Sequence, residues 1–497
     1  MDADNINGIM PLEDRLLYAT GGPFYYGRES DVKTTLRSLD FESRESKEII
    51  KDVDGVMPSA DGKFLMVRRN GGFHRVELAK PDEPKEVSLA NLIVHRSPAT
   101  EWSAIFDETW RRFRDYFYVP NMHGYDWEAL RTRYRPLIAH VSTREDLNTL
   151  IGEMIAELNV GHAYIAGGDL QAAGKRPDVS LLGAVFEADR RAGRYRIAKI
   201  YRGHNAEPKY RSPLTEVGIG VNVGDYVLAI DGRELTLDEN PYELLTDRGK
   251  QPVELTVNDR PRSEGARRVL AEPIGSEGSL AYLDWVLDNQ AYVSERTDGR
   301  VGYLHIPDMG ANGIYEFIKW FYPQIRKQGL VVDVRSNGGG NVSQMILRRL
   351  MQKPLGYGYQ AHSSWSQPYP ATAFNGPMAA LISEDSASDG DIFPYFFREA
   401  GLGPLIGKRS WGGVVGITNR GPLLDGGQVF VPEFGMGSVA GGWIIEGEGV
   451  APDIEVSNDP ASDTDAQLDR GIAEVLRGIE ENPPRFTPKP PPPVKTD

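Results

Sequence analysis

Three stretches of this chain carry residue types and spacings suited to acyl transfer. The first is Ser386-Ala387-Ser388-Asp389-Gly390-Asp391-Ile392-Phe393, where Ser388 stands directly before the first turn of a helix. A helix start leaves backbone N–H groups unpaired and carries partial positive charge. A serine oxygen held there can attack a carbonyl, with amides beside it to receive the oxyanion. Ser and Asp before an apolar run are also ordinary helix caps, so the partners decide. The second stretch is Asn337-Gly338-Gly339-Gly340, following a buried strand. Glycines let backbone approach a reacting carbonyl and leave an N–H to donate. The third supplies a base, without which serine is a weak nucleophile. Of eight histidines, His162 follows a helix read as ending at Gly161 and opens a strand, His162-Ala163-Tyr164-Ile165. His305, within a strand, is the other candidate. The loop Ile445-Glu446-Gly447-Glu448-Gly449 adds two acids. Either could orient a histidine, as the carboxylate of a triad does.

Composition removes competing chemistries. The chain has no cysteine, so disulfides, thiolate catalysis and cysteine-ligated zinc are excluded. No HExxH pair is present to hold a metal, and no metal or cofactor is expected. With 56 basic and 71 acidic residues among 497, the formal net charge is −15. That balance argues against a nucleic-acid surface and against anionic membranes. No apolar run nears the roughly 18 residues a membrane span needs. The acidic, polar start Met1-Asp2-Ala3-Asp4 lacks the features of a signal peptide.

These groups must be positioned by elements of at least two periods. Residues 1–97 read as short strands with turns, such as Phe64-Leu65-Met66-Val67 after Asp61-Gly62, the pattern of a propeller or sandwich. They are too few to close a propeller. Over 98–175 the period becomes helical: Trp102, Ile105, Phe106, Trp110, Phe113 and Phe117, then Leu147, Leu150, Ile151, Met154 and Leu158. Strands return over 176–275. Residues 276–480 alternate strand and helix, which predicts α/β with a largely parallel sheet. Leu330-Val331-Val332-Asp333-Val334 is the apolar run of a strand buried on both faces. Residues 481–497 form a Pro-rich tail.

Two resemblances follow from these residues. Leu181-Leu182-Gly183 and Val223-Gly224-Asp225-Tyr226-Val227-Leu228-Ala229-Ile230-Asp231-Gly232 resemble the carboxylate-binding loop and a hairpin of a PDZ domain. Such domains bind peptides by adding a strand to a sheet edge. From about Trp102 to Leu476 the chain resembles the core of the tricorn protease family, serine peptidases related to the C-terminal processing peptidases. The matching stretches are Asp115-Tyr116-Phe117-Tyr118, Glu157-Leu158-Asn159-Val160-Gly161-His162, Asp333 to Gly340, Ser388 to Asp391, and Gly407 to Ile417. The resemblance implies a multidomain α+β protein. Its parts would be a propeller remnant, a helical subdomain carrying the histidine, an inserted PDZ domain and a ClpP/crotonase-like α/β catalytic domain. It further implies Ser388 as nucleophile, His162 as general base, Glu446 as the acid behind it, and the amides of Gly340 and Asp389 as oxyanion donors. Gly358, beside Tyr357, would line the subsite for the residue before the scissile bond. An acid there in the archaeal archetype favours Lys or Arg; glycine predicts uncharged residues instead. Peptide substrates, a closed homo-oligomer and a cytoplasmic location are also implied, or a periplasmic one had an upstream signal been removed.

One departure stands out: the archetype has a serine before the histidine, where this chain has Gly161. Three rival readings fit the residues less well. A Ser–Lys peptidase would need a lysine where Gly413 stands, a non-catalytic PDZ scaffold would have lost catalytic residues, and a hydratase-like enzyme would lack the PDZ insertion.

Overall fold

The computed structural model describes residues 5–22, 32–93, 95–170, 174, 177–363, 366–484 and 487–496. The expected border at 175/176 and residues 485, 486 and 497 of the Pro-rich tail lie outside the described residues. The chain separates into two compact units, 1–104 and 105–497.

The first unit carries two four-stranded antiparallel sheets. One comprises β1 (Ile6–Pro11), β2 (Arg15–Thr20), β3 (Thr34–Asp40) and β4 (Ser46–Val53), in chain order. The other comprises β5 (Gly55–Pro58), β6 (Phe64–Arg69), β7 (Gly72–Glu77) and β8 (Lys80–Val87). Leu65 and Val67 of β6 are buried while Met66 and Arg68 are exposed, the alternation of a sheet with one solvated face.

The second unit opens with helices α1 (Pro98–Tyr116, begun in the first unit), α2 (Trp127–Tyr134) and α3 (Arg144–Ala156). Trp110 and Trp127 lock α1 to α2, each indole N–H donating to the other's carbonyl at 2.9 and 3.0 Å. Thr143 and Asp146 form a capping box at the start of α3. The sequence reading put the end of this helix at Gly161. The helix instead ends at Ala156, and Asn159 takes the left-handed turn (φ 48°). Gly161 and His162 therefore sit in the connection to a short strand, β9 (Tyr164–Ala166), rather than His162 opening that strand.

The next module is a sheet of β10 (Ala184–Asp189), β11 (Arg194–Ile200), β12 (Tyr226–Ile230), β13 (Arg233–Glu234), β14 (Val253–Asn258) and β15 (Arg267–Ala271). The order is β10-β11-β12-β14-β15, with β13 on β12, so β10 lies at an edge. Within 176–275, where strands are expected, Pro213–Thr215 forms a 3-10 turn instead, since proline fixes the first helical φ.

The catalytic-type module has five parallel strands: β16 (Val301–His305), β17 (Gly329–Asp333), β20 (Met378–Ile382), β21 (Leu405–Gly407) and β24 (Ile454–Glu455). Between them come α4 (Gly278–Arg296, before β16), α5 (Ala311–Phe321), α6 (Ser343–Leu350), the hairpin β18 (Gly356–Gly358) with β19 (Gln367–Tyr369), and α7 (Asp389–Glu399). A sheet of β22 (Gly416–Asn419), β23 (Gln428–Phe434) and β9, then α8 (Ala466–Glu481), complete it. Alternate strand residues face opposite layers. Leu330, Val332, Ala380 and Ile382 pack with Phe317, Ile346 and Phe393 of α5, α6 and α7. Val331, Ala379 and Leu381 pack with Val293 of α4 and Leu468, Ile472 and Val475 of α8. Burial on both faces accounts for the continuous apolar runs.

Candidate active site

The site lies where β17 and β20 end, the carboxyl edge at which functional groups of such sheets gather. Asn337 joins the two loops there. Its side-chain amide donates to the Ile306 carbonyl at 2.8 Å, its Oδ1 accepts the Gly339 N–H at 2.9 Å, and its own carbonyl accepts the Ala387 N–H at 2.8 Å. The glycine run is thereby pressed against the serine turn. A Cβ on Gly339 would stand 2.5 Å from the Ser388 Cβ, and one on Gly340 would stand within 2 Å of the Met309 carbonyl oxygen. At φ values of 90° and 153° these positions require glycine in any case.

Ser388 has φ 58° and ψ −121° at the N-cap of α7, and its side chain caps nothing. A non-glycine residue so placed is strained, and such strain gathers at functional positions. The neighbouring Ser386 is fully buried and committed: its hydroxyl donates to the Val334 carbonyl (2.8 Å) and accepts the Ser383 N–H (3.0 Å). Of the two serines, only Ser388 is presented for chemistry. The carboxylate of Asp389 accepts from the N–H and hydroxyl of Ser343 at 2.8 and 2.5 Å, joining the starts of α6 and α7. Gly340 lies in a parallel bridge with Met309 that uses the Gly339 carbonyl and the Asn341 N–H, not the amide of Gly340 itself.

The loop between β21 and β22 packs on His162. Trp411 donates its N–H to the Ser386 carbonyl at 3.0 Å, and its ring meets the His162 ring edge-on at 5.4 Å. One residue thus spans from the serine turn to the histidine. His162 is 9% exposed, and its Nδ1 is buried without a hydrogen-bond partner among the described residues. Burial pushes the imidazole below its usual pKa, and the charge of Glu446 pulls it partway back. Glu446 does not bind the ring. Its Oε1 accepts the Gly161 N–H at 2.7 Å, while Oε2 accepts the amides of Val414 (2.7 Å) and Val415 (3.0 Å). The carboxylate clamps the backbone bearing the histidine to the loop that packs on it. Glu448 is exposed. Of the two acids left open by spacing, Glu446 is the one that bonds the backbone beside His162.

Gly161 and Gly413 are close for a steric reason. A Cβ on Gly161 would lie 2.7 Å from the Gly413 Cα, and one on Gly413 would lie 2.2 Å from the Trp411 ring. Neither a serine at 161 nor a lysine at 413 has room. His305 has both ring nitrogens engaged, Nδ1 with the Tyr282 hydroxyl (3.1 Å) and Nε2 with the Arg335 carbonyl (3.0 Å). It is a structural histidine.

Sequence reasoning missed Asp391 as a member of this site. Fully buried in the first turn of α7, it accepts the Gly412 N–H on Oδ1 at 2.9 Å, while Oδ2 has no hydrogen-bond partner among the described residues. Burial pushes its carboxyl up to about 6 against the opposing pull of Ser410 and Gly412. A cavity of about 620 Å³ opens beside Gly340 and Asp389, walled by Leu347, Met351, Ile392, Phe396 and Met436. Arg348 also faces it, exposed, with no acid in ion-pair reach among the described residues. Gly358 and Tyr357 lie on the β18–β19 hairpin and do not line this cavity; the Tyr357 hydroxyl accepts from Asn375 at 3.3 Å.

An α/β layer with a strained serine at a helix start, pressed against a glycine run and linked through Trp411 to a buried histidine, has the parts of a serine-hydrolase type of site, and residues 300–456 match peptidase family S41. Residues 98–156 match the tricorn protease C1 domain and 180–276 the tricorn protease PDZ domain. The chain belongs to the tricorn protease family. It is 34% identical over 499 residues to tricorn protease homolog 1 of Streptomyces coelicolor, covering 97% of this chain and 46% of that protein. It is 33% identical to the tricorn protease of Thermoplasma volcanium, covering 97% and 47%. The crystal structure of the tricorn protease superposes with a TM-score of 0.87 at 32% identity, over 96% of this chain and 47% of that one. The chain thus spans about half the length of the curated relatives it matches.

Proposed function

We propose that this chain is a peptidase core that cleaves short peptides through an acyl-enzyme on Ser388. His162 takes the serine proton as the hydroxyl attacks, and returns a proton to the leaving amine. The amides of Gly340 and Asp389 receive the oxyanion, a contribution worth on the order of 10²–10³ in rate per donor. Glu446 holds the base through its backbone, and its charge offsets part of the burial that disfavours imidazolium. The observation that carries this reading is the strained Ser388 turn wedged against Gly339, with its side chain making no cap hydrogen bond. Family resemblance supports a cytoplasmic setting and peptide substrates; no helix among the described residues is long and apolar enough to cross a membrane.

The same reading extends to substrate choice. Gly358 brings no carboxylate, the cavity beside the oxyanion donors is mostly apolar, and Arg348 disfavours a second cation there. We therefore expect a preference for apolar or aromatic residues before the scissile bond. A library of fluorogenic peptides tests both points. Leu and Phe peptides should be cleaved by the native chain and not by Ser388→Ala. A tenfold preference for Arg over Leu and Phe would overturn the specificity; cleavage by Ser388→Ala would overturn the mechanism.

A further inference from the structure

The PDZ module has the parts of a peptide groove. Among the described residues its edge strand β10 pairs only with β11. At the start of β10 lies the Leu181-Leu182-Gly183 loop, with Gly183 at φ 72°. Across from the strand stands Tyr242, whose ring meets Phe186 of β10 edge-on at 6.0 Å. A peptide adding to β10 would direct its terminal carboxylate to the amides of this loop.

Those amides already hold a carboxylate, and it belongs to the same chain. After β15 the backbone turns back, and Ile274 forms an antiparallel bridge with Leu181, their N–H and C=O groups exchanging bonds of 2.7 and 2.9 Å. Three residues on, Glu277 Oε1 accepts the Gly183 N–H at 2.7 Å and the Ala184 N–H at 3.1 Å. Helix α4 begins at Gly278, and its Leu280 lies 3.3 Å from where a Gly183 Cβ would stand. Burial and the charge of Glu277 both raise the Tyr242 phenol above its usual value, which sets the carboxylate within the groove's field. Burial likewise raises the Glu277 carboxyl, so the two loop amides are what hold the charged form in place.

We propose that Glu277 is an intramolecular ligand of the PDZ carboxylate loop, closing the groove to peptide C-termini until this side chain withdraws. The bridge at Ile274 and the carboxylate at Glu277 together reproduce what a bound peptide would contribute, a paired strand residue followed by an acid in the loop. The groove is thereby spent on tying the module to α4, the helix that leads into the catalytic-type sheet. This inference does not rest on the peptidase reading.

The test measures binding of a fluorescein-labelled hexapeptide ending in Leu, as free acid and as C-terminal amide, to the full chain. Ser388→Ala is present throughout to prevent turnover, and binding at the catalytic cleft is common to every arm. Glu277→Ala should bind the free acid at least tenfold more tightly than the Glu277 protein, with no gain for the amide. The isosteric Glu277→Gln, which removes the charge and keeps the shape, carries the same comparison if the alanine variant does not fold. Equal affinity of the Glu277 protein and the folded variant for the free acid, or an equal gain for the amide, would overturn the proposal.

Discussion

Asp391 shows how a single residue can tie the helix that Ser388 caps to the loop that packs on His162. Its Oδ1 accepts from Gly412, next to the Trp411 that packs on His162, while its own helix has Ser388 as N-cap. The carboxyl is raised to about 6 from 3.8, so the unfolded chain loses this proton first. Its stabilising contribution is complete below pH 4 and is lost as pH rises through about 6, a change of roughly 3 kcal/mol at most. Asp391→Asn keeps the acceptor and removes the titration. The stability difference between variant and native protein, from denaturant unfolding at several pH values, should grow in the variant's favour from pH 4 to 6 and then level. A difference constant over that range would contradict the assignment. Ser388, His162 and Gly340 stand out in the sequence because each lies near a strong periodic element, although the helix before His162 ends earlier than its apolar stripe suggests. Asp391 was not, since its burial is created by a loop about 20 residues away. Nor was the manner in which Glu446 acts. A carboxylate that binds backbone amides leaves no side-chain pattern, and the shared space of Gly161 and Gly413 exists only once 250 residues have folded between them.

At the scale of elements, the site depends on β17 ending where it does. Asp333, its last residue, is completely buried and pairs with Arg335 at 2.7 Å; Arg335 also reaches Asp465, the N-cap of α8, at 2.8 Å. Burial opposes the charge on Asp333, yet the Arg335 guanidinium beside it holds the carboxyl below the usual range. Arg335→Leu leaves a buried carboxylate uncompensated, a loss of about 3–5 kcal/mol. Unfolding midpoints in denaturant should fall accordingly, and a loss under 1 kcal/mol would show that the pair does not anchor the strand. The strands and helices of this layer were legible because apolar runs and helical stripes differ sharply in period. Turns were read less well: the 3-10 turn at Pro213 and the early end of α3 depend on local backbone choices that apolar periodicity does not encode.

For the whole molecule, family membership supports a closed homo-oligomer, as an extension of the proposed function. Light scattering at micromolar concentration should report a species several times the 55.1 kDa chain; a monomer alone would refute this. The central claim concerns one oxygen atom, and a fluorophosphonate probe tests it directly. After labelling of the native chain, peptide mass analysis should find the adduct on Ser388, with labelling slowing as pH falls through and below the ordinary imidazole range of about 6.5 and absent in Ser388→Ala. An adduct on another residue, or undiminished labelling of Ser388→Ala, would contradict the account.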